Sequence, residues 1–344
     1  VTVESKGQIP QVEDAADSGE YSYTIHFKTG NYGEDIEDTF EVTINRLPLT
    51  IKPTLTNGTK VYNGSADFDT NKITGTTVDG TITGESLTAE VQSATYNSKN
   101  VSAANRVTIT YTLSGDGVNL DNYTYNGTAL TDAGVEVTLT QTDNASIKIT
   151  PKPITVTGIT ADDHTYDGKR DIPLSGDPTT TDFVEADKDK VTLELVENAT
   201  GTLADGVTPD VGDDKKVTIG TNQVKVVTQG DGTDIDVDNY KIDSVADTRV
   251  NIVPRRITLK WPSETMSFGY TGQPLAEYQF ALVVDTSKGE LVSPDKLESG
   301  DITYTFTEEG GESVKSPIAV GTYTVTPAPG SDPWMANYQW TIPD

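Results

Sequence analysis

The densest group of candidate ligands is the acidic run Asp231, Asp234, Asp236 and Asp238. On an extended chain alternate residues point the same way, so Asp234, Asp236 and Asp238 would offer three carboxylates to one side. Calcium takes six to eight oxygens, and such a run could supply several. The EF-hand pattern fails, because its glycine position holds Asn239 and its bidentate glutamate position holds Val245. The competing reading is a solvated acidic loop. Calcium is the one cofactor this pattern suggests; otherwise none is expected. A second candidate is Trp334, in the Pro333-Trp334-Met335 loop, because a flat exposed ring can stack on the C–H face of a sugar. Trp340 would share a strand face with Tyr338, and Trp261 lies in a patterned strand, so both are expected in the core.

Catalytic chemistry finds little to work with. There is no cysteine, which excludes a cysteine–histidine pair, and only His26 and His164 could serve a serine triad. No Gly-x-Ser-x-Gly elbow is present. The 53 acidic residues allow many carboxylate pairs, but nothing singles one out for glycoside hydrolysis. We therefore expect no enzyme. Lys152 and Asn251 stand near segment ends, where a lysine–asparagine crosslink would tie first and last strands together.

The formal charge of −28 argues against nucleic acid, whose phosphates demand a basic face, and against anionic lipid. No run is apolar enough for direct membrane insertion. Hydrophobic residues make up only 34%. So thin a supply of core residues favours β-sandwiches, in which each strand buries alternate side chains. No stretch holds a sustained 3.6-residue apolar period, so almost no helix is expected.

What positions these residues is a repeat. The motif Tyr62-Asn63-Gly64 returns as Tyr166-Asp167-Gly168 and as Tyr270-Thr271-Gly272, at intervals of 104 residues. The pair Asn-Tyr stands at Asn31-Tyr32, Asn122-Tyr123, Asn239-Tyr240 and Asn337-Tyr338. Proline-bearing strands recur at Ile44–Ile51, Ile149–Val156 and Ile252–Leu259. Proline donates no ladder hydrogen bond, so each marks a place where one sheet stops and the next begins. Residues 47–151 and 152–254 read as full modules of one subtype. Residues 1–46 read as the second half of another subtype, and 255–344 as a full copy of it, since Gly19-Glu20-Tyr21 parallels Gly321-Thr322-Tyr323. The pattern opens part-way through a copy, so we expect a fragment of something longer. The repeated tyrosines are expected as buried core or corner residues, their hydroxyls bonded to nearby backbone. About 100 residues per module, with frequent turn signals such as Asn57-Gly58 and Asn126-Gly127, suits a sandwich of roughly seven strands. The fold class predicted is all-β: a tandem array of sandwiches forming an elongated rod.

The segment from the joint Ile-Thr-Pro-Lys-Pro-Ile-Thr-Val (149–156) through residue 254 carries Tyr166-Asp167-Gly168, Val211-Gly212 before Lys216-Val217-Thr218, and Asp238-Asn239-Tyr240. In these the chain resembles the YDG-type repeats of large bacterial cell-surface proteins, while 47–151 departs from the pattern, with Asn63 in place of the aspartate and no Val-Gly before the strand that starts at Arg106. Segments 1–46 and 255–344 resemble the related MBG type through Gly-x-Tyr and Asn-Tyr. The resemblance implies immunoglobulin-like or β-grasp-like stalk units of an extracellular adhesin, presenting a distal binding domain at the bacterial surface. Partners would be other modules of the same chain, and host or plant glycans or surface proteins. The alternative from another class is an array of carbohydrate-binding modules using exposed aromatics.

Overall fold

A computed structural model describes residues 14–15, 19–25, 36–131, 133–230, 235–263, 265–308 and 310–343. The described chain is all-β: strands arranged in several sheets, with only short 3-10 turns as helical elements. Two compact units are distinguished. One comprises residues 1–152 with 233–240, the other 153–232 with 241–344.

The first unit contains β1 (Gly19–Ile25), β2 (Ile36–Val42), β3 (Leu47–Leu55), β4 (Thr59–Val61), β5 (Ile73–Asp79), β6 (Thr88–Tyr96), β7 (Arg106–Ser114), β8 (Tyr123–Tyr125), β9 (Thr128–Ala129), β10 (Gly134–Thr140) and β11 (Lys148–Thr150). Strand β7 lies between β6 and β10, both antiparallel to it. Its alternate residues Val107, Ile109, Tyr111 and Leu113 are almost wholly buried, as strict alternation in Arg106–Ser114 requires of a half-buried strand. Strand β3 pairs with β5 antiparallel and with β8 parallel, while β11 runs parallel to β4. Between β8 and β9, Asn126 and Gly127 both adopt positive φ (49° and 79°), the tight hairpin turn their dipeptide predicts.

The second unit contains β12 (Lys152–Thr160), β13 (His164–Thr165), β14 (Asp171–Pro173), β15 (Ser175–Thr179), β16 (Val191–Leu195), β17 (Thr200–Leu203), β18 (Gly212–Thr218), β19 (Val224–Thr228), β20 (Tyr240–Val245) and β21 (Thr248–Val253), the first residues of β12 and β20 belonging to the other unit. It continues with β22 (Arg255–Lys260), β23 (Val283–Val284), β24 (Ile302–Glu308), β25 (Ser313–Val314), β26 (Tyr323–Pro329) and β27 (Tyr338–Thr341). A five-stranded sheet runs β13-β21-β18-β17-β14, and a three-stranded sheet runs β25-β24-β26. One continuous apolar cluster draws Tyr166, Val217 and Ile252 from residues 152–254 together with Ile257, Ile302 and Tyr338 from 255–344.

The proline joints are short. Pro151 alone separates β11 from β12, and Pro254 alone separates β21 from β22. The first joint differs. The break there is the stretch 43–46, and Pro48 is the second residue of β3. A proline at the start of a strand forfeits little of the ladder, so the strand begins before it rather than after it. Pro153 occupies the same place in β12.

Candidate functional site

Each Asn-Tyr pair in the described residues is built the same way. A 3-10 turn ends on the asparagine and a strand starts on the tyrosine: Leu120–Asn122 before β8, Val237–Asn239 before β20, Pro333–Asn337 before β27. In the first two, an Asn or Asp two residues ahead of the acidic position caps the turn, Asn119 accepting from the Asp121 N–H and Asp236 from the Asp238 N–H. The turn aims the asparagine amide at the backbone of a distant loop, where it both accepts and donates. Asn122 accepts from the Ala15 N–H at 2.8 Å and donates to Asp14 at 2.6 Å. Asn239 accepts from the Val101 N–H at 2.8 Å and donates to Asn100 at 3.0 Å. Asn337 accepts from the Val211 N–H at 2.8 Å and donates to Asp210 at 2.9 Å. Asn239 and Asn337 are almost fully buried. A primary amide carries a separate acceptor oxygen and donor nitrogen, so it can fill both roles at once without a charge.

The tyrosine beside each asparagine completes a clamp. The Tyr240 ring meets Tyr62 edge-on at 5.5 Å and 78°, and the Tyr338 ring meets Tyr166 at 5.5 Å and 82°. The Tyr-x-Gly tyrosines and the Asn-Tyr tyrosines are thus two halves of one contact, worth about 0.5–1.5 kcal/mol beyond the area buried. The Tyr338 hydroxyl donates to Asp295 at 2.7 Å and accepts from the Val292 N–H at 2.9 Å. Tyr166 donates to the same Asp295 oxygen at 3.1 Å. Tyr123 repeats the arrangement, donating to Glu85 and accepting from the Ile82 N–H at 3.4 Å. In both cases acceptor and donor are three residues apart in sequence. Burial, and then the hydrogen bond to Asp295, push the Tyr166 hydroxyl up to about 12 and raise Tyr338 further still. Donation from Asn337 leads the causes that hold the Asp210 carboxyl below its ordinary value.

The glycine of Tyr-x-Gly turns the chain after the buried ring. Gly64, Gly168 and Gly272 have φ of 82°, 72° and 69°, a region costly for residues with a Cβ. The third tyrosine departs from expectation. Tyr62 and Tyr166 are 1% and 6% exposed, whereas Tyr270 is 70% exposed. Its local sequence is equivalent, but no Asn-Tyr tyrosine lies across from it among the described residues.

Of the acidic run, only Asp236 and Asp238 are among the described residues; Asp231 and Asp234 lie outside them. Asp236 spends its carboxylate on the turn cap and on the Ser102 hydroxyl, while Asp238 is inside the 3-10 turn and exposed. The 3-10 turn Val237–Asn239 ends the extended backbone at Asp236. Trp334 is partly buried rather than a free platform, its ring meeting Tyr338 at 5.7 Å and Trp340 at 5.9 Å, both near perpendicular. Asn251 accepts from the Asp214 N–H and donates to Asp163, each at 3.0 Å.

Sequence reasoning located the tyrosines but overlooked the asparagines and Asp295. The available signal was that every such tyrosine is preceded by asparagine, which packing of a ring alone would not require. The YDG domain family model matches residues 45–131 and 150–248, just over half of the chain. No curated protein sequence matches it. The matched stretches contain both buried Tyr-x-Gly motifs and two of the three clamping asparagines, and the chain belongs to the YDG domain family.

Proposed function

We propose that this chain is a structural stalk region of a bacterial cell-surface adhesin, a tandem array of immunoglobulin-like β-sandwich modules that presents a distal binding domain. Residues 47–151 and 152–254 are its YDG modules, and 1–46 and 255–344 belong to the related MBG type. The observation that carries the reading is the reuse of one clamp: Asn122, Asn239 and Asn337 each hold a backbone loop more than 100 residues upstream by the same pair of hydrogen bonds. A binding or catalytic site is normally built once. A device that recurs at each junction serves the junction, where it resists bending and separation. Proline joints of a single residue support the same purpose, because they leave little slack between successive strands. A net charge of −28 keeps crowded copies apart. The rod would span on the order of 100 Å, from about 3.3 Å per strand residue. Antibodies to this chain should label intact source cells, and protease shaving should remove the label. Labelling only after permeabilisation would refute the surface assignment.

A further inference from the structure

The last segment, 255–344, ends in an open slot where its siblings are closed. In residues 152–254, β21 is wedged between β18, to which it is antiparallel, and β13, to which it is parallel. In residues 47–151 the same places are filled by β10 on β7 and by β11 on β4. The backbone N–H of each Tyr-x-Gly tyrosine then bonds to the closing strand, Tyr62 to the Thr150 carbonyl at 2.8 Å and Tyr166 to the Val253 carbonyl at 2.9 Å. In 255–344 the equivalent of β18 is β26, which among the described residues pairs with β24 alone. The equivalent of β13 is the stretch before Tyr270, and residues 266–270 lie in no strand.

Two further positions are bare in the same region. Phe268 and Tyr270 are 41% and 70% exposed, where Tyr62 and Tyr166 are buried. Val320 precedes Gly321 as Val211 precedes Gly212, and Val211 is the residue whose N–H the Asn337 clamp takes. Val320 is 83% exposed. In the other segments a closing strand fills the slot, a second tyrosine covers the Tyr-x-Gly ring and an asparagine of the following segment clamps the loop, and all three positions stand open here among the described residues.

We propose that this surface receives a further segment of the same construction: a closing strand inserted between β26 and 266–270, followed by an Asn-Tyr turn whose tyrosine packs on Tyr270 and whose asparagine clamps Val320. The chain itself shows the chemistry of that strand. Strand β1, with the Gly-x-Tyr pattern of β26, is paired antiparallel along its whole length with β2, from Gly19↔Val42 to Ile25↔Ile36. Asn122, the next Asn-Tyr asparagine after β2, clamps Asp14 and Ala15 just upstream of β1. The occupant is therefore a strand of the Ile36–Val42 type, continued into a module like 47–151. This rests on the stalk reading but is tested separately from it.

The test extends the full chain at residue 344 with a copy of residues 36–151, or with residues 36–46 alone, and follows amide exchange. Protection of the amides of 266–270 and of the outer edge of β26 should rise at least tenfold with either tail. The longer tail should also shield Tyr270 from iodination, and Asn122→Ala in the appended copy alone should weaken that shielding. Scrambling the appended 36–46 should abolish the gain. Unchanged exchange with both tails overturns the proposal, as does equal protection by the scrambled tail. Concentration-dependent protection of the unextended chain would assign the slot to a second copy and also overturn it. None of these outcomes bears on cell-surface labelling.

Discussion

Replacing Asn337 by alanine should cost more than almost any other single polar truncation in the second unit. The side chain is 3% exposed and makes two hydrogen bonds that alanine cannot make. Losing the bond to the Val211 N–H leaves a partly buried donor unmet, at about 1–3 kcal/mol. Losing the donation to Asp210 removes a charge-assisted bond, worth about 1.5–3 kcal/mol, although Asp210 can recover some of this from water. The sum to expect is about 2–4 kcal/mol. Asn337→Asp is the sharper probe. It keeps the acceptor for Val211 but sets a second carboxylate against Asp210 at hydrogen-bond distance, so it should lose at least as much near neutral pH and recover as acid protonates the pair. Urea unfolding followed by tryptophan fluorescence reads this region selectively, because Trp261, Trp334 and Trp340 all lie in 255–344. Asp210 gives the sign of the pH dependence. Its folded value is depressed, so its contribution is present above the unfolded value of roughly 3.9 and is lost as pH falls below it. Asn337→Ala should flatten that acid limb. A loss below about 0.5 kcal/mol for Asn337→Ala, or wild-type stability for Asn337→Asp near neutral pH, would refute the two-bond reasoning.

Tyr338→Phe removes a donor to Asp295 and an acceptor for Val292, and should destabilise by about 1–3 kcal/mol in the same urea assay. Tyr166→Phe should cost less, because its bond is longer and Tyr338 still serves Asp295. The raised hydroxyls also set an alkaline limb: the contribution is complete below the ordinary tyrosine value of roughly 10 and is lost as pH climbs through about 12 for Tyr166 and higher for Tyr338, and Tyr338→Phe should make that decline shallower in unfolding free energy. Gly168→Ala should cost more than Gly272→Ala on thermal unfolding. Both pay the left-handed penalty of about 1–2 kcal/mol, but a Cβ at Gly168 would stand 2.8 Å from Val292, whereas at Gly272 the nearest atom, on Tyr270, is 3.7 Å away.

Local chemistry explains what could be read in advance. Strand β7 was legible because Val107, Ile109, Tyr111 and Leu113 alternate with threonines, and burial follows that alternation. The turn at Asn126-Gly127 was legible because few other dipeptides accept two positive φ angles. Burial of Tyr62 and Tyr166 was legible from their recurrence, but burial of Tyr270 was wrongly extrapolated, because a tyrosine is covered by its partner and not by its own motif. Asp295 and Glu85 were illegible: they stand 43 and 38 residues before the tyrosines they serve, in loops without a shared pattern. In the acidic run, the use of Asp236 as the cap of a 3-10 turn was not legible from alternation alone, because alternation describes extended backbone and not the turn that follows it.

The central claim is that one asparagine–tyrosine clamp, used repeatedly, holds successive segments together against load. Single-molecule pulling on the chain by its two ends measures this directly, comparing wild type with a variant carrying Asn122→Ala, Asn239→Ala and Asn337→Ala. The clamp predicts that the variant extends earlier and at lower force, while each segment still gives its own unfolding event. Traces that superimpose on the wild type would contradict it.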